Sequence, residues 1–310
     1  MKTFKQSEPL VTVIMTALNA ADFIGEALTS LVNQTYRNLE IIVVDDGSKD
    51  GTWENILEFA ATDSRIRAYR LKGNIGPSGA TNFAMKKARG KYVARLDADD
   101  ISYRDRIGKQ VEFLEKNRSV IMLGGQCDII TEAGEPVGKK QFPQSHDDIR
   151  SALFIMNPIP HPACMFRRAV YEKAKLRYER KFHVSHDLKI LYRMLKLGRF
   201  ANLPDTLIEY RLRPNSITHK DPKRSFRETV EIRHWALSQG YTPTLKSFCI
   251  HILQMALVAV LPNPVITRLF HFWRIRSFVS SIPAFIGRAT RLAVRFVPAM
   301  IAFLLLPKTE

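Results

Sequence analysis

Short apolar runs alternate with amphipathic stretches along the first hundred residues. Four runs have the length and composition of buried strands, at 10–15, 39–44, 66–71 and 92–96. Three intervening stretches carry apolar side chains at helical spacing, at 22–31, about 52–61 and 78–88. Asp22 is the expected N-cap of the first helix. This alternation predicts an α/β domain with a mostly parallel sheet flanked by helices.

Acidic residues directly follow two of these strands. Asp45 and Asp46 end the second strand, and Asp97, Asp99 and Asp100 follow the fourth. Ligands of open α/β sheets bind beyond the carboxyl ends of the strands, where these carboxylates are expected to lie. A sugar nucleotide fits such a site. One acid group can meet the base, and the other can meet a metal ion that holds the diphosphate.

The length and the cysteines limit the class of protein. A chain of 310 residues can form one large α/β domain and a smaller addition. The three cysteines, Cys127, Cys164 and Cys249, are far apart, which indicates a reducing compartment and no disulfide framework or zinc motif. Residues 1–9 are polar and the first apolar run is a core strand, so a signal peptide is not expected.

The net charge of +17 is unevenly distributed. Residues 240–310 contain eight basic residues and one acidic residue among many Leu, Ile, Val and Phe. Basic, aromatic-rich amphipathic helices are typical of segments that lie on an anionic membrane surface. The apolar stretch at 247–261 is shorter than the roughly 20 residues that a span needs. A buried helical subdomain and a spanning or re-entrant segment remain alternatives. Nucleic-acid binding is not expected, because no polar basic stripe carries stacking aromatics.

Several segments follow one another in an order typical of one enzyme family. They are VIMTALN at 13–19, SLVNQTY at 30–36, VVDDGSKDGT at 43–52, LDADD at 96–100, NPIPHP at 157–162, SHDL at 185–188 and residues 202–211. Over about residues 8–218 the chain resembles family 2 glycosyltransferases. This resemblance implies the GT-A fold and an inverting mechanism. We therefore expect a catalytic domain at 1–218 and a helical, membrane-associating extension at 219–310.

The resemblance also implies which residues bind the donor. Asp46 is the candidate for the nucleobase, because a carboxylate can accept a hydrogen bond from N3–H of uracil or thymine. This role favours a UDP- or dTDP-linked sugar. Asp45 either braces the loop or meets the ribose. Thr16 and Asn19, after the first strand, resemble other base-contacting positions, with simple turn residues as the alternative.

Asp97 and Asp99 match the metal-binding DxD site of the family, and Asp97 is also expected to contact the donor. Hard oxygen ligands indicate Mg²⁺ or Mn²⁺. Asp187 is the implied general base, which takes the proton of the acceptor hydroxyl as the new bond forms. For each of these acids, a role in a turn or a helix cap is the structural alternative.

Three positions depart from the family pattern. Thr81 stands where an arginine is usual, and Lys72 or Arg95 are the available replacements. His186 precedes the predicted base where a glutamate is usual, which could change the hydrogen bonds to the acceptor. Arg213 stands where a histidine is common, and an arginine there would bind phosphate rather than a metal ion.

The leading prediction is an inverting, metal-dependent transferase that adds one sugar to a lipid-linked or cell-surface glycan. Its expected location is peripheral, on the cytoplasmic side of the inner membrane, in polysaccharide and cell-envelope synthesis. A processive synthase is disfavoured, because the sequence shows neither several long spans nor a Gln-x-x-Arg-Trp segment. The alternative is a non-catalytic nucleotide-sugar binder or scaffold in a glycan assembly complex.

Overall fold

The computed structural model describes residues 8–182, 184–213, 221–262 and 265–266. The first half of the described chain consists of strands and helices in strict alternation. Its strands are β1 Val11–Ala17, β2 Leu39–Asp45, β3 Ile66–Arg70 and β4 Tyr92–Arg95. Its helices are α1 Ile24–Val32, α2 Thr52–Thr62 and α3 Gly76–Lys87.

The second half mixes shorter strands with helices. Its strands are β5 Ile101–Ser102, β6 Val120–Ile130, β7 Pro136–Lys140, β8 Met165–Arg167 and β9 Arg199–Arg211. Its α-helices are α4 Arg106–Lys116, α5 His146–Ala152, α6 Arg168–Lys173, α7 His186–Leu195, α8 Pro222–Ser238 and α9 Leu245–Val260. A 3₁₀ turn spans His161–Ala163.

The strands within the described ranges form one sheet in the order β3-β2-β1-β4-β8-β6-β9-β5, with β7 paired to β6. Strands β1 to β4 are parallel, and Val11 lies opposite both Leu39 and Tyr92. The antiparallel partners enter with the second half, since β8 joins β4 and β5 joins β9. The parallel register brings the carboxyl ends of β1, β2 and β4 to one edge.

Two apolar clusters cover the two faces of the sheet. Alternate residues of β1 divide between them, with Val13 and Met15 in one cluster and Ile14 in the other. This division is expected for a strand buried on both faces. Ile232 and Ala236 of α8 belong to the second cluster. Helix α8, which falls in the range assigned to the extension, therefore packs against the apolar cluster on one face of the sheet.

The predicted strands and helices of the first hundred residues are found within two residues of their expected bounds. The N-cap assigned to Asp22 is wrong, because α1 begins at Ile24 and Phe23 precedes it without a side-chain cap. The N–H groups of Phe23 and Ile24 donate instead to the carbonyl of Ala20, so Asp22 lies within a turn. The predicted boundary at 218 and the basic residues beyond 266 lie outside the described residues. In the described part, no helix has the length and apolar character that crossing a membrane requires.

Gly47, in the turn after β2, provides a test of this packing. Its φ is +82°, and a Cβ there would lie 2.9 Å from the Cα and carbonyl carbon of Gly73. We expect Gly47→Ala to lower the free energy of unfolding by about 1–3 kcal/mol, measured by urea denaturation. Gly108→Ala, in open space on α4, is the control and is expected to be neutral or to stabilise by about 0.5–1 kcal/mol. Equal effects of the two substitutions would contradict the fold near Gly47.

Candidate active site

The loops that follow β1 and β2 are tied to each other by hydrogen bonds. The side-chain oxygen of Asn19 accepts the N–H of Lys49 at 2.9 Å, and its own N–H donates to Ser48 Oγ at 2.9 Å. Asn19 adopts the left-handed conformation, with φ of 49°. Thr16 is half-buried on β1, one residue before the strand ends. Thr16 and Asn19, which are predicted to bind the sugar nucleotide, therefore lie beside the acids that end β2.

Asp45 is completely buried and its carboxylate is engaged within the protein. One oxygen accepts the N–H of Ser48 at 3.0 Å, and the other lies 3.2 Å from Arg70 Nε. Both contacts join residues close to the turn. Of the two roles left open for Asp45, this geometry fits the bracing of the loop.

Asp46 connects the end of β2 to the loop before α3. Its Oδ1 accepts the N–H of Ile75 at 2.8 Å, and the side chain is almost fully buried. Burial raises the pKa of Asp46, while the N–H groups of Ile75 and Gly76 oppose the rise. A ligand that reaches Asp46 therefore meets a carboxylate already fixed in direction.

Asp97 and Asp99 lie beyond the end of β4, and each is paired with an arginine. Asp97 is 40% exposed at its side chain, and its Oδ1 lies 3.3 Å from Arg95 Nη2. Asp99 Oδ2 lies 3.1 Å from Arg213 Nη1. Burial and the charge of Asp97 raise the pKa of Asp99, and Arg213 opposes that rise. The two carboxylates are thus close enough for the charge of one to act on the other.

Asp100 has a different role from its neighbours. It is buried, and its Oδ1 accepts the backbone N–H of Arg211 at 2.9 Å. The Arg211 side chain donates in turn to the carbonyl of Asp99 at 2.9 Å and to Glu26 of α1. Burial, with the charges of Asp99 and Asp97, raises the pKa of Asp100 well above its usual range. This residue joins β9 to the acidic loop.

Asp187 lies in the first turn of α7 rather than at its N-cap. Asn157 Nδ2 donates to Asp187 Oδ2 at 2.5 Å, and the N–H of Leu188 donates to Oδ1 at 2.8 Å. Burial raises the pKa of Asp187 to about 6, against the effect of the Leu188 N–H. A carboxylate with this pKa is ionised at neutral pH and is still a useful proton acceptor.

A glutamate from α8 holds the start of α7 in place. Glu228 Oε2 accepts the N–H groups of Val184 and Ser185, at 2.9 and 3.1 Å. The N-terminal N–H groups of a helix have no partners within the helix, so a carboxylate there both caps and orients it. The sequence does not reveal this role, because Glu228 is 43 residues from Ser185 and carries no motif.

Aromatic side chains form a wall beside Asp187. His161 Nε2 lies 3.0 Å from the hydroxyl of Tyr178, and the ring of His186 lies 5.7 and 5.8 Å from the rings of His161 and Tyr178. Burial, followed by the nearby charge of Arg95, lowers the pKa of His161 well below its usual range. His161 is therefore neutral at pH 7. Tyr178 belongs to none of the motifs in the sequence, so its place beside Asp187 could not be predicted from them.

Arg95 lies against the position where the family usually has an arginine. Its Nη1 donates to Thr81 Oγ1 at 2.9 Å. Lys72, the other replacement considered, is exposed after β3. The structure thus places a guanidinium beside Thr81 although the sequence has no arginine there.

Comparison with known proteins identifies the class of enzyme. The model of glycosyl transferase family 2 matches residues 12–175. The chain belongs to this family. An uncharacterised glycosyltransferase of Haemophilus influenzae is 38% identical over 215 residues, which is 67% of this chain and 67% of that protein. A putative teichuronic acid biosynthesis glycosyltransferase of Bacillus subtilis, TuaG, is 32% identical over 68% of this chain and 82% of its own length.

Solved structures confirm the GT-A fold of this glycosyltransferase. Staphylococcus aureus TarS 1–349 in complex with UDP-GlcNAc matches with a TM-score of 0.62 and 18% identity, over 78% of this chain and 70% of that one. The mannosyltransferase PcManGT of Pyrobaculum calidifontis, in complex with GDP-Man and Mn²⁺, matches with a TM-score of 0.58 and 19% identity, over 97% and 86%.

Proposed function

We propose that this glycosyltransferase inverts the anomeric centre of a UDP- or dTDP-linked sugar and transfers it to a glycan acceptor, with Asp187 as the general base. The observation that carries this proposal is the environment of Asp187. It is a buried carboxylate, fixed by Asn157 and Leu188, with a pKa of about 6. It lies near enough to Asp97 for that charge to act on its pKa.

Each residue around the base has a definable role in this reaction. Asn157 and the N–H of Leu188 each donate to one oxygen of Asp187, which fixes the carboxylate while it remains able to accept a proton. As the acceptor oxygen attacks the anomeric carbon, its proton moves to Asp187. The attack comes from the face opposite the leaving diphosphate, so one displacement inverts the configuration.

Asp97 and Asp99 are the proposed ligands of Mg²⁺ or Mn²⁺. Their charges interact, and Asp97 is partly exposed, so the pair can accept a shared ion. Among the described residues no group of three or more His, Cys, Asp or Glu side chains could hold a metal. Two carboxylates fit an ion whose remaining ligands are donor phosphate oxygens and water. When bound, such an ion offsets the negative charge that develops on the leaving diphosphate. PcManGT has been solved with GDP-Man and Mn²⁺.

The preference for a pyrimidine donor rests on Asp46. This carboxylate can accept a hydrogen bond from the N3–H of uracil or thymine. The matched structures contain both kinds of donor, since TarS is in complex with UDP-GlcNAc and PcManGT with GDP-Man. Asp45, engaged with Ser48 and Arg70, would keep the loop in shape. Thr16 and Asn19 would approach the base from the β1 side.

The acceptor is proposed to be a lipid-linked or cell-surface glycan at the cytoplasmic face of the inner membrane. The Bacillus subtilis relative TuaG, which is named for teichuronic acid biosynthesis, supports a role in the cell envelope. Helix α9 supports the membrane contact, because its fully buried residues are the polar Ser247 and His251, while Leu245 and Val260 are 80% and 81% exposed. This apolar surface belongs to the basic segment 240–310, and the combination of apolar and basic residues suits an anionic bilayer.

Asp187→Asn tests the proposed base. We expect transfer to fall at least about 10²-fold while UDP binding is retained, because only proton acceptance is lost. In the wild type, kcat/KM is expected to fall about tenfold per pH unit below pH 6 and to level off above it, because the pKa of Asp187 is raised to about 6 and only its ionised form accepts a proton. Asp147→Asn, at an exposed acid on α5, is the control. Full activity of Asp187→Asn would exclude this base.

Leu245→Ser combined with Val260→Ser tests the membrane contact. These side chains are 80% and 81% exposed on α9, so the folded core is expected to be unaffected while the apolar surface is lost. Sedimentation with vesicles rich in phosphatidylglycerol is expected to drop at least fivefold, because each deleted apolar side chain removes about 1 kcal/mol or more of burial. Leu57→Ser, at another exposed leucine on α2, is the control and should sediment like the wild type. Unchanged sedimentation of the double variant would contradict the contact.

A further inference from the structure

Arg95 carries a buried charge at the end of β4. The residue is 2% exposed. Its Nη1 donates to Thr81 Oγ1 at 2.9 Å and its Nη2 lies 3.3 Å from Asp97 Oδ1. Its Nε is buried and makes no hydrogen bond within the described residues. Burying a guanidinium is costly unless it is paired, and here the paired acid is a partly exposed one.

The same guanidinium faces the acceptor side of the site. Arg95 Cζ lies 6.0 Å from the centre of the Tyr178 ring. The Tyr178 ring lies 5.8 Å from that of His186, the residue that precedes Asp187. Arg95 thus contacts both Asp97, on the proposed donor side, and Tyr178, which belongs to the aromatic wall beside the proposed base.

Few of the titratable groups around Asp187 are charged at neutral pH. The titratable groups that face it from neighbouring elements are Arg95, Asp97, His161, Cys164 and Tyr178, with His186 on its own helix. Burial raises the pKa of the Cys164 thiol to about 12 and raises that of Tyr178, while burial lowers the pKa of His161. These three groups are neutral at pH 7. Among the five groups on neighbouring elements, the charges that remain are the positive Arg95 and the negative Asp97.

We propose that Arg95 is a positioning residue that couples the two halves of the site, since it orients Asp97 and places its positive charge against Tyr178, in the aromatic cluster beside Asp187. This inference rests on the proposed function, because it gives Asp187 the role of base. Thr81 anchors Arg95 independently of Asp97, so the charge stays in place when a donor engages Asp97. In this role Arg95 acts through Asp97 and Asp187 rather than on the reacting atoms.

The test is a ¹³C NMR titration of the aspartate carboxyl carbons in the free full-length protein, with the Asp187 resonance assigned from Asp187→Asn. Arg95→Met removes the charge and is expected to raise the midpoint of Asp187 by about one pH unit or more. Arg95→Gln is a second neutral variant that can still donate to Thr81, and it should show the same rise. Arg95→Lys keeps the charge and should titrate like the wild type.

Thr81→Val separates the charge from its anchor. It removes the acceptor of the Nη1 contact, so we expect a lower kcat with an unchanged Asp187 midpoint. An Asp187 midpoint that stays at the wild-type value in folded Arg95→Met or Arg95→Gln would overturn the coupling. Failure of the proposed function is seen separately, as full transfer by Asp187→Asn, and it leaves the NMR result readable. A purely structural role of Arg95 predicts lower melting temperatures without any change of midpoint.

Discussion

Repulsion among three carboxylates in the four residues after Leu96 is the constraint on which the site depends. Asp97 pairs with the side chain of Arg95 and Asp99 with that of Arg213, while Asp100 accepts the backbone N–H of Arg211. Two of these arginines come from the end of β9, so the pairing fixes the second half of the sheet to the first. In the proposed function a bound cation would relieve this repulsion, which the fold otherwise opposes with arginine.

Desolvation gives Asp187 the proton affinity that its proposed role requires. Burial raises the pKa of Asp187 to about 6, so the carboxylate is a stronger proton acceptor than an exposed aspartate and is still ionised at neutral pH. Glu228 fixes the backbone before α7, and Asn157 fixes the carboxylate itself. Helix α8, which provides Glu228, belongs to the region that the sequence assigned to an extension. The proposed base therefore depends on packing between two regions that are distant in sequence.

The parts of this fold that sequence predicted are those specified locally. Strand and helix periods in the first hundred residues depend on near neighbours, and Asp46, Asp97 and Asp99 follow strands directly, so their common edge could be predicted. The contact of Arg95 with Thr81 and the cap provided by Glu228 join residues 14 and 43 or more positions apart. No period or motif encodes such contacts, because they depend on how the sheet twists and on which helices cover it. Asp22 shows the opposite failure, since a local capping preference yielded to the turn formed at Ala20.

The most direct test of the account is nucleotide-dependent thermal stabilisation, measured with UDP, dTDP and GDP, each with Mn²⁺, Mg²⁺ or EDTA. A ligand at 100 times its dissociation constant stabilises the folded state by about 2.7 kcal/mol, which raises the melting temperature by several degrees. The account predicts this rise with UDP or dTDP in the presence of a divalent cation, a smaller rise with GDP, and loss of the rise in EDTA. The absence of any rise in a folded sample, or a rise that persists unchanged in EDTA and with GDP, would contradict it.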